Sequence, residues 1–273
     1  MTVECNPDTV TTEVVAAYRD AGVNRLSLGV QSMVPSVLSA LGRTHDPDNV
    51  RRSVELARAG GIESLNLDLI YGAAGESVDD WCHTLDQALA LEPSHVSAYG
   101  LTVEPGTALA LRPERHPDDD DQADKYLLAT ERLGAAGFEW YEISNWARPG
   151  EQCRHNLLYW GGGEYQGVGC AANSHRAGRR FWNVRTPERY IDATEGGRSV
   201  EAGDERLREP ERRLEALQLS LRTAHGVPAA ALPLADLGAG GDLDDLVAVD
   251  GDRAVLTVAG RLLANEVALR LQP

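Results

Sequence analysis

The first hundred residues alternate between two periods, and this constrains the fold more than any other feature. Residues 24–31 (NRLSLGVQ) alternate polar and apolar side chains and read as a strand, as do Ser64–Tyr71 (SLNLDLIY) and residues 95–102 (HVSAYGLT). A shorter strand is expected over residues 2–6. Between the strands the period changes. Val14, Ala17, Tyr18 and Ala21 fall on one helical face, and Gly22 stops that helix. Val50, Val54 and Ala57 mark a second helix, ended by Gly60-Gly61. Ser77-Val-Asp-Asp80 forms a capping-box pattern that opens a third, with Val78, Trp81, Cys82, Leu85 and Leu89 on its apolar face. Strands separated by helices pair in parallel through right-handed crossovers. Four strands and three helices therefore predict an α/β fold, a partial β/α barrel of the TIM-like kind.

The rest of the chain is less regular. The acidic run Asp118–Asp121 suits a solvated helix start, because carboxylates favour the positive end of the helix dipole. A helix is expected over residues 122–136, stopped by Gly137, and one further strand over residues 138–146. In the tail, Leu214, Leu217 and Leu221 share a helix face. Asp250-Gly251 lies between two apolar runs as a hairpin signal, and Thr257 caps a helix expected to run to Leu271. This order predicts a small winged-helix-like α+β module. The expected division is 1–200 for the barrel and its extension, and 201–273 for the module.

Composition narrows the partners. The 273 residues carry a net charge of −16, with Asp242, Asp244, Asp245, Asp250 and Asp252 crowding the expected wing. Phosphate-tracking nucleic-acid binding depends on basic residues and is not expected. No apolar run reaches the ~18 residues of a membrane helix, and the first residues lack a secretory pattern. Four cysteines are too few for a disulfide scaffold, so a cytoplasmic protein with reduced thiols is expected.

Two groups of residues could carry chemistry. In β/α barrels the chemistry sits at the C-terminal ends of the strands. Glu4, Gln31, Asp68 and Thr102 fall at or near four such ends, and Arg43 follows the second. Carboxylates, an amide and a guanidinium suit a polar ligand with ribose hydroxyls, an amino group and a carboxylate. Equally, Asp68 and Gln31 could simply hold neighbouring loops through backbone hydrogen bonds. The second group is Cys153-Arg-His155-Asn156-Leu-Leu-Tyr159-Trp160, followed by glycine-rich sequence to His175. His155 or Cys153 could ligate iron. The alternatives are a hydrogen-bonded structural histidine and a small buried cysteine. The spacings of Cys5, Cys82, Cys153 and Cys170 match no zinc or iron–sulfur pattern.

These residues also carry a resemblance. Val3-Glu-Cys-Asn-Pro7, Asn24–Ser32, Leu41-Gly-Arg-Thr-His45, Asn66–Gly72, Tyr141–Ala147 and, most specifically, Cys153–Trp160 with Glu164–Gly169 match, in order, the radical-SAM oxygen-independent coproporphyrinogen oxidases. Residues 217–222 and 256–262 fit as well. Within that family the chain is most similar to the haem-chaperone branch. The resemblance implies a barrel that binds S-adenosylmethionine beside a [4Fe–4S] cluster. It assigns Glu4, Gln31, Arg43, Asp68, Thr102 and Asn173 to the adenosylmethionine, and His155, Asn156 and Tyr159 to haem. It implies haem transfer to an acceptor apoprotein. The alternatives are coproporphyrinogen III oxidation and an inactive remnant. The family's CxxxCxxC loop and GGGTP strand would precede Met1 and are absent from the sequence. The chain is therefore expected to hold no cluster and no cluster-dependent chemistry, and Met1 to be an internal start.

Overall fold

A computed structural model describes residues 1–238 and 240–272, apart from the side chain of Leu234. The chain divides into two compact units, Met1–Gln152 and Cys153–Pro273.

In the first unit, strands β1 (Thr2–Cys5), β2 (Arg25–Gln31), β3 (Ser64–Tyr71) and β4 (His95–Gly100) pair in parallel, in sequence order. The connections carry helices α1 (Thr12–Asp20), α2 (Pro35–Ala40), α3 (Pro47–Ala59) and α4 (Val78–Ala90). This is the expected partial β/α barrel. Helix α5 (Asp119–Ala135) starts on the Asp118 side chain, which accepts from the Asp121 N–H. The Ser77–Asp80 capping box of α4 forms in both directions. The inner face of α4 differs from the expected one. Trp81, Thr84, Leu85 and Ala88 are buried, whereas Val78 sits exposed in the first turn.

The single strand expected over residues 138–146 is a hairpin. β5 (Glu139–Glu142) turns through Ile143-Ser144 into β6 (Asn145–Ala147), and β6 pairs antiparallel with β4. The reversal is fixed by tertiary bonds. The Ala98 N–H donates to the Ser144 carbonyl at 2.8 Å, and the Tyr126 hydroxyl donates to the Ile143 carbonyl at 3.2 Å.

The two faces of the parallel sheet differ in kind. Alternate residues Leu26, Leu28, Val30, Leu65, Leu67, Leu69, Val96 and Ala98 are fully buried in the hydrophobic core with helix residues such as Val54, Trp81, Leu85 and Leu133. Each such burial of a large apolar side chain contributes ~1.5–3 kcal/mol. The intervening residues, among them Glu4, Ser27, Asn66, Asp68, His95 and Ser97, form the opposite, polar face.

The second unit begins with α6 (Arg154–Trp160). β7 (Asn173–Arg176) and β8 (Arg179–Asn183) form a hairpin, α7 (Pro187–Glu195) follows, and β9 (Glu201–Arg206) pairs with β8. The division expected at 200/201 would therefore cut a paired strand from its sheet. Helix α8 (Glu209–Leu221) precedes a three-stranded antiparallel sheet of β10 (Val227–Pro228), β11 (Val247–Asp250) and β12 (Arg253–Leu256). Of the three leucines expected to share a helix face, Leu221 is buried and Leu214 and Leu217 are half-buried. Gly251 makes the hairpin turn at φ 59°, as Asp250-Gly251 suggested. Thr257 caps α9 (Val258–Leu262), but the helix expected to reach Leu271 breaks at Leu263 (φ −109°, ψ 26°). It resumes as α10 (Ala264–Ala268). No helix among the described residues is long and apolar enough to cross a membrane.

Candidate functional site

The polar sheet face is a connected network. Both oxygens of Asp68 are engaged. Oδ2 accepts from the Ser27 hydroxyl at 2.8 Å and Oδ1 from Asn66 Nδ2 at 2.8 Å. The same Asn66 nitrogen lies 2.6 Å from the Ser27 hydroxyl oxygen. On its other side, Asn66 Oδ1 meets His95 Nδ1 at 2.6 Å, and His95 Nε2 meets the Tyr141 hydroxyl at 2.7 Å. An amide oxygen only accepts, so Nδ1 of His95 carries the proton and Nε2 accepts from the tyrosine. Burial, with a lesser contribution from the positive charge of Arg25, pushes the His95 pKa down to about 3. The ring is neutral at physiological pH, which this tautomer requires. Burial also raises the Tyr99 hydroxyl pKa on this face.

Gln31 ends β2 in an unusual conformation. The register slips between Leu28 and Gln31, one extra residue entering the strand, and Gln31 lies at φ 64°. A glutamine in the left-handed region is strained, and bulges of this kind re-aim side chains beside sites. Gln31 is only 7% exposed, and its amide makes no hydrogen bond among the described residues. A Cβ at Gly29 would stand 2.9 Å from Gln31 Nε2, so glycine there leaves room for the side chain.

The other expected contacts are less enclosed. Glu4 pairs with Ser27 across β1 and β2 and is exposed. Arg43 follows α2 and is exposed, and its guanidinium has no partner among the described residues. Thr102 lies two residues past β4, with its hydroxyl 3.4 Å from the Gly100 carbonyl. Asp68, expected at or near a strand end, lies inside β3, three residues before its last residue, Tyr71. Asn173 belongs to the second unit, where its exposed side chain donates to the Ala171 carbonyl at 3.4 Å.

Helix α5 holds the loops beyond β3 and β4. Lys125 is fully buried. Its Nζ donates to the Glu76 carbonyl at 2.9 Å and to Asp121 Oδ2 at 2.6 Å, and pairs with Glu76 Oε2 at 3.3 Å. Glu76 Oε2 in turn accepts from the Gly72 N–H at 2.6 Å. Burial raises the Glu76 pKa against the pull of that N–H and of Lys125. Gln122 Nε2 donates to the Leu101 carbonyl.

The second candidate group lies on α6. His155 and Tyr159 are one turn apart, both exposed, with ring centroids 4.6 Å apart edge to face. The ladder continues from Tyr159 to Tyr165 at 4.5 Å and from Tyr165 to His175 at 6.2 Å. Its far end is anchored: Tyr165 and His175 exchange backbone hydrogen bonds, and His175 Nδ1 lies 3.0 Å from the Gly163 carbonyl. Burial raises the Tyr165 hydroxyl pKa. Asn156 is half-buried on the same helix.

Comparison with known proteins assigns the family. Residues 1–88 match the model of the radical SAM superfamily. The chain is 44% identical over 277 residues to the protein named "Heme chaperone HemW" from Mycobacterium tuberculosis, covering 99% of this chain and 71% of that protein. The chain belongs to the HemW family. The Escherichia coli protein of the same name is 42% identical over 211 residues, covering 75% of this chain and 56% of that one. The fold agrees with the solved structure of coproporphyrinogen III oxidase HemN from Escherichia coli, described as a radical SAM enzyme. The TM-score is 0.81 at 22% identity, covering 98% of this chain and 68% of that one.

Radical SAM membership implies S-adenosylmethionine and a [4Fe–4S] cluster, and the two fare differently here. The polar face offers a fixed carboxylate at Asp68 and, at the mostly buried Gln31, an amide with no hydrogen bond among the described residues, a donor and acceptor set that fits a nucleoside bearing an amino acid. The cluster does not fit these residues. All four cysteines are free, and burial holds the Cys5 thiol pKa above its ordinary range. Among the described residues no three His, Cys, Asp or Glu side chains come together to hold a metal ion.

Sequence reasoning missed Ser27, Asn66, His95, Ser97 and Tyr141. The signal was present in Ser64–Tyr71, where Asn66 and Asp68 are the polar members of an otherwise leucine-rich alternation.

Proposed function

We infer that this HemW-family chain binds haem and passes it to an acceptor apoprotein. Haem meets the α6 face made by His155, Asn156 and Tyr159, with His155 as the candidate iron ligand. The observation that carries this reading is the exposed His155–Tyr159 pair, one helical turn apart and continued by Tyr165. An imidazole beside a row of aromatic edges provides both a donor for iron and a surface for a flat macrocycle. The polar sheet face would hold S-adenosylmethionine through Glu4, Gln31, Arg43, Asp68 and Thr102. Asp68 suits ribose hydroxyls, and Arg43 suits a carboxylate.

The test is a Soret titration of the full chain with haemin. His155→Ala is expected to weaken binding by about tenfold or more, and Tyr159→Leu by less. A His155→Ala chain with unchanged affinity and an unchanged Soret maximum would overturn the assignment. Protoporphyrinogen formation by the chain would favour coproporphyrinogen oxidation instead.

A further inference from the structure

The first unit contains a cavity of about 280 Å³ that shares no lining residue with the polar sheet face. That size lies just below the ~300–1,000 Å³ range of ligand pockets, so it suits a fragment-sized molecule. Its walls come from three connections that leave the C-terminal ends of β2, β3 and β4. These are Ala40–Gly42, Ala74, and the segment from Leu101 to Arg115. The wall is mainly aliphatic, with Leu41, Leu101 and Leu109 as its large members. The only charged side chains in it are Arg112 and Arg115.

The two arginines differ. Arg115 closes the cavity structurally, donating from Nη2 to the Ala40 carbonyl at 2.7 Å and so tying the 108–115 segment to the end of α2. Arg112 makes no such bond, and its guanidinium has no side-chain or carbonyl partner among the described residues. In a chain of net charge −16, the wall of this cavity carries two guanidinium groups and no carboxylate. A guanidinium matches a carboxylate through two parallel hydrogen bonds. The leucines exclude a fully hydrated anion and reward hydrocarbon.

We propose that this cavity binds a carboxylate carried on a short apolar body, with the carboxylate on Arg112 and the hydrocarbon against Leu41, Leu101 and Leu109. The site is independent of the haem reading, since none of its lining residues lies on α6.

The test uses the full chain and three probes at up to millimolar concentration: 3-phenylpropionate, 3-phenylpropylamine and inorganic phosphate. Binding is followed by calorimetry and by the methyl resonances of labelled leucine. The acid is expected to bind and to shift Leu41, Leu101 and Leu109, while the amine and phosphate do not. Arg112→Gln changes an exposed residue and should leave the melting temperature unchanged while weakening the acid about tenfold. Leu109→Trp should fill the cavity and abolish the shifts. The proposal is overturned if the acid does not bind, if the amine binds as well as the acid, if phosphate alone moves the same methyls, or if Arg112→Gln binds like the parent. Failure of His155→Ala to affect haem would leave each of these results standing.

Discussion

The polar sheet face and the α6 ladder are both candidate binding sites, but they are held in opposite ways. On the sheet, Asp68 is fixed by Ser27 and Asn66, and Asn66 is fixed by His95, which is fixed by Tyr141. Much of that chain is buried, so its geometry is part of the fold. On α6, His155 and Tyr159 stand exposed, anchored mainly by the contact of one ring with the next. A preorganised site loses little entropy when its ligand arrives, whereas an exposed ladder must be ordered by its ligand. The first arrangement suits a resident cofactor, and the second suits a cargo that has to leave. The difference implies that substitutions near the sheet site change stability together with binding, and substitutions on α6 change binding with little effect on stability.

The largest expected effect lies at the clamp beneath the sheet site. Lys125→Met removes the partner of buried Glu76 and frees the loop after β3. Breaking a buried pair from one side costs about 3–5 kcal/mol. Urea denaturation should show a loss of this size. A loss no greater than that of an exposed substitution would mean that α5 does not hold the loop, and the contrast between the two sites would weaken.

The next effect is a pH dependence. The His95 pKa falls from 6.5 in the unfolded chain to about 3 in the folded one. Between these values the unfolded chain binds the extra proton, so stability is complete above about pH 6.5 and falls as pH drops toward 3. The expected slope is about 1.4 kcal/mol per pH unit within that window. Glu76, with its raised pKa, contributes in the opposite sense, because its protonated form is favoured by folding. The measurement is therefore the difference between the parent chain and His95→Gln, which cancels Glu76. Parallel stability curves for the two chains would contradict a buried neutral His95.

These long-range bonds mark where the sequence stopped being informative. The strands, the glycine stops and the Ser77–Asp80 cap could be read because their partners lie within one turn or on alternate positions. Lys125 and the Glu76 carbonyl are 49 residues apart, His95 and Tyr141 46, and no local pattern joins them. Gln31 was picked out by its position at a strand end, but its positive φ could not be, since that conformation usually belongs to glycine. The hairpin at Ile143-Ser144 was missed for the same reason. It lacks an Asn-Gly or Asp-Gly turn and is set by contacts to Ala98 and Tyr126. On α6 the reverse holds. The His155–Tyr159 spacing places both on one helix face, and the structure adds only Tyr165 and His175.

The smallest expected effect is the sharpest test of the contrast. His155→Ala removes an exposed ring, and its stability should stay within about 0.5 kcal/mol of the parent. Tyr159→Ala also loses edge-to-face contacts to two rings, each worth about 0.5–1.5 kcal/mol when well packed. Tyr159 is 40% exposed, so its loss should fall at the low end of that range. Unfolding curves paired with haemin titrations separate the two quantities. If haem binding falls while the midpoint holds, the ladder is a surface kept for its ligand. If the midpoint falls with it, α6 is a structural element whose aromatic edges serve the second unit, and the exposed site is no looser than the buried one.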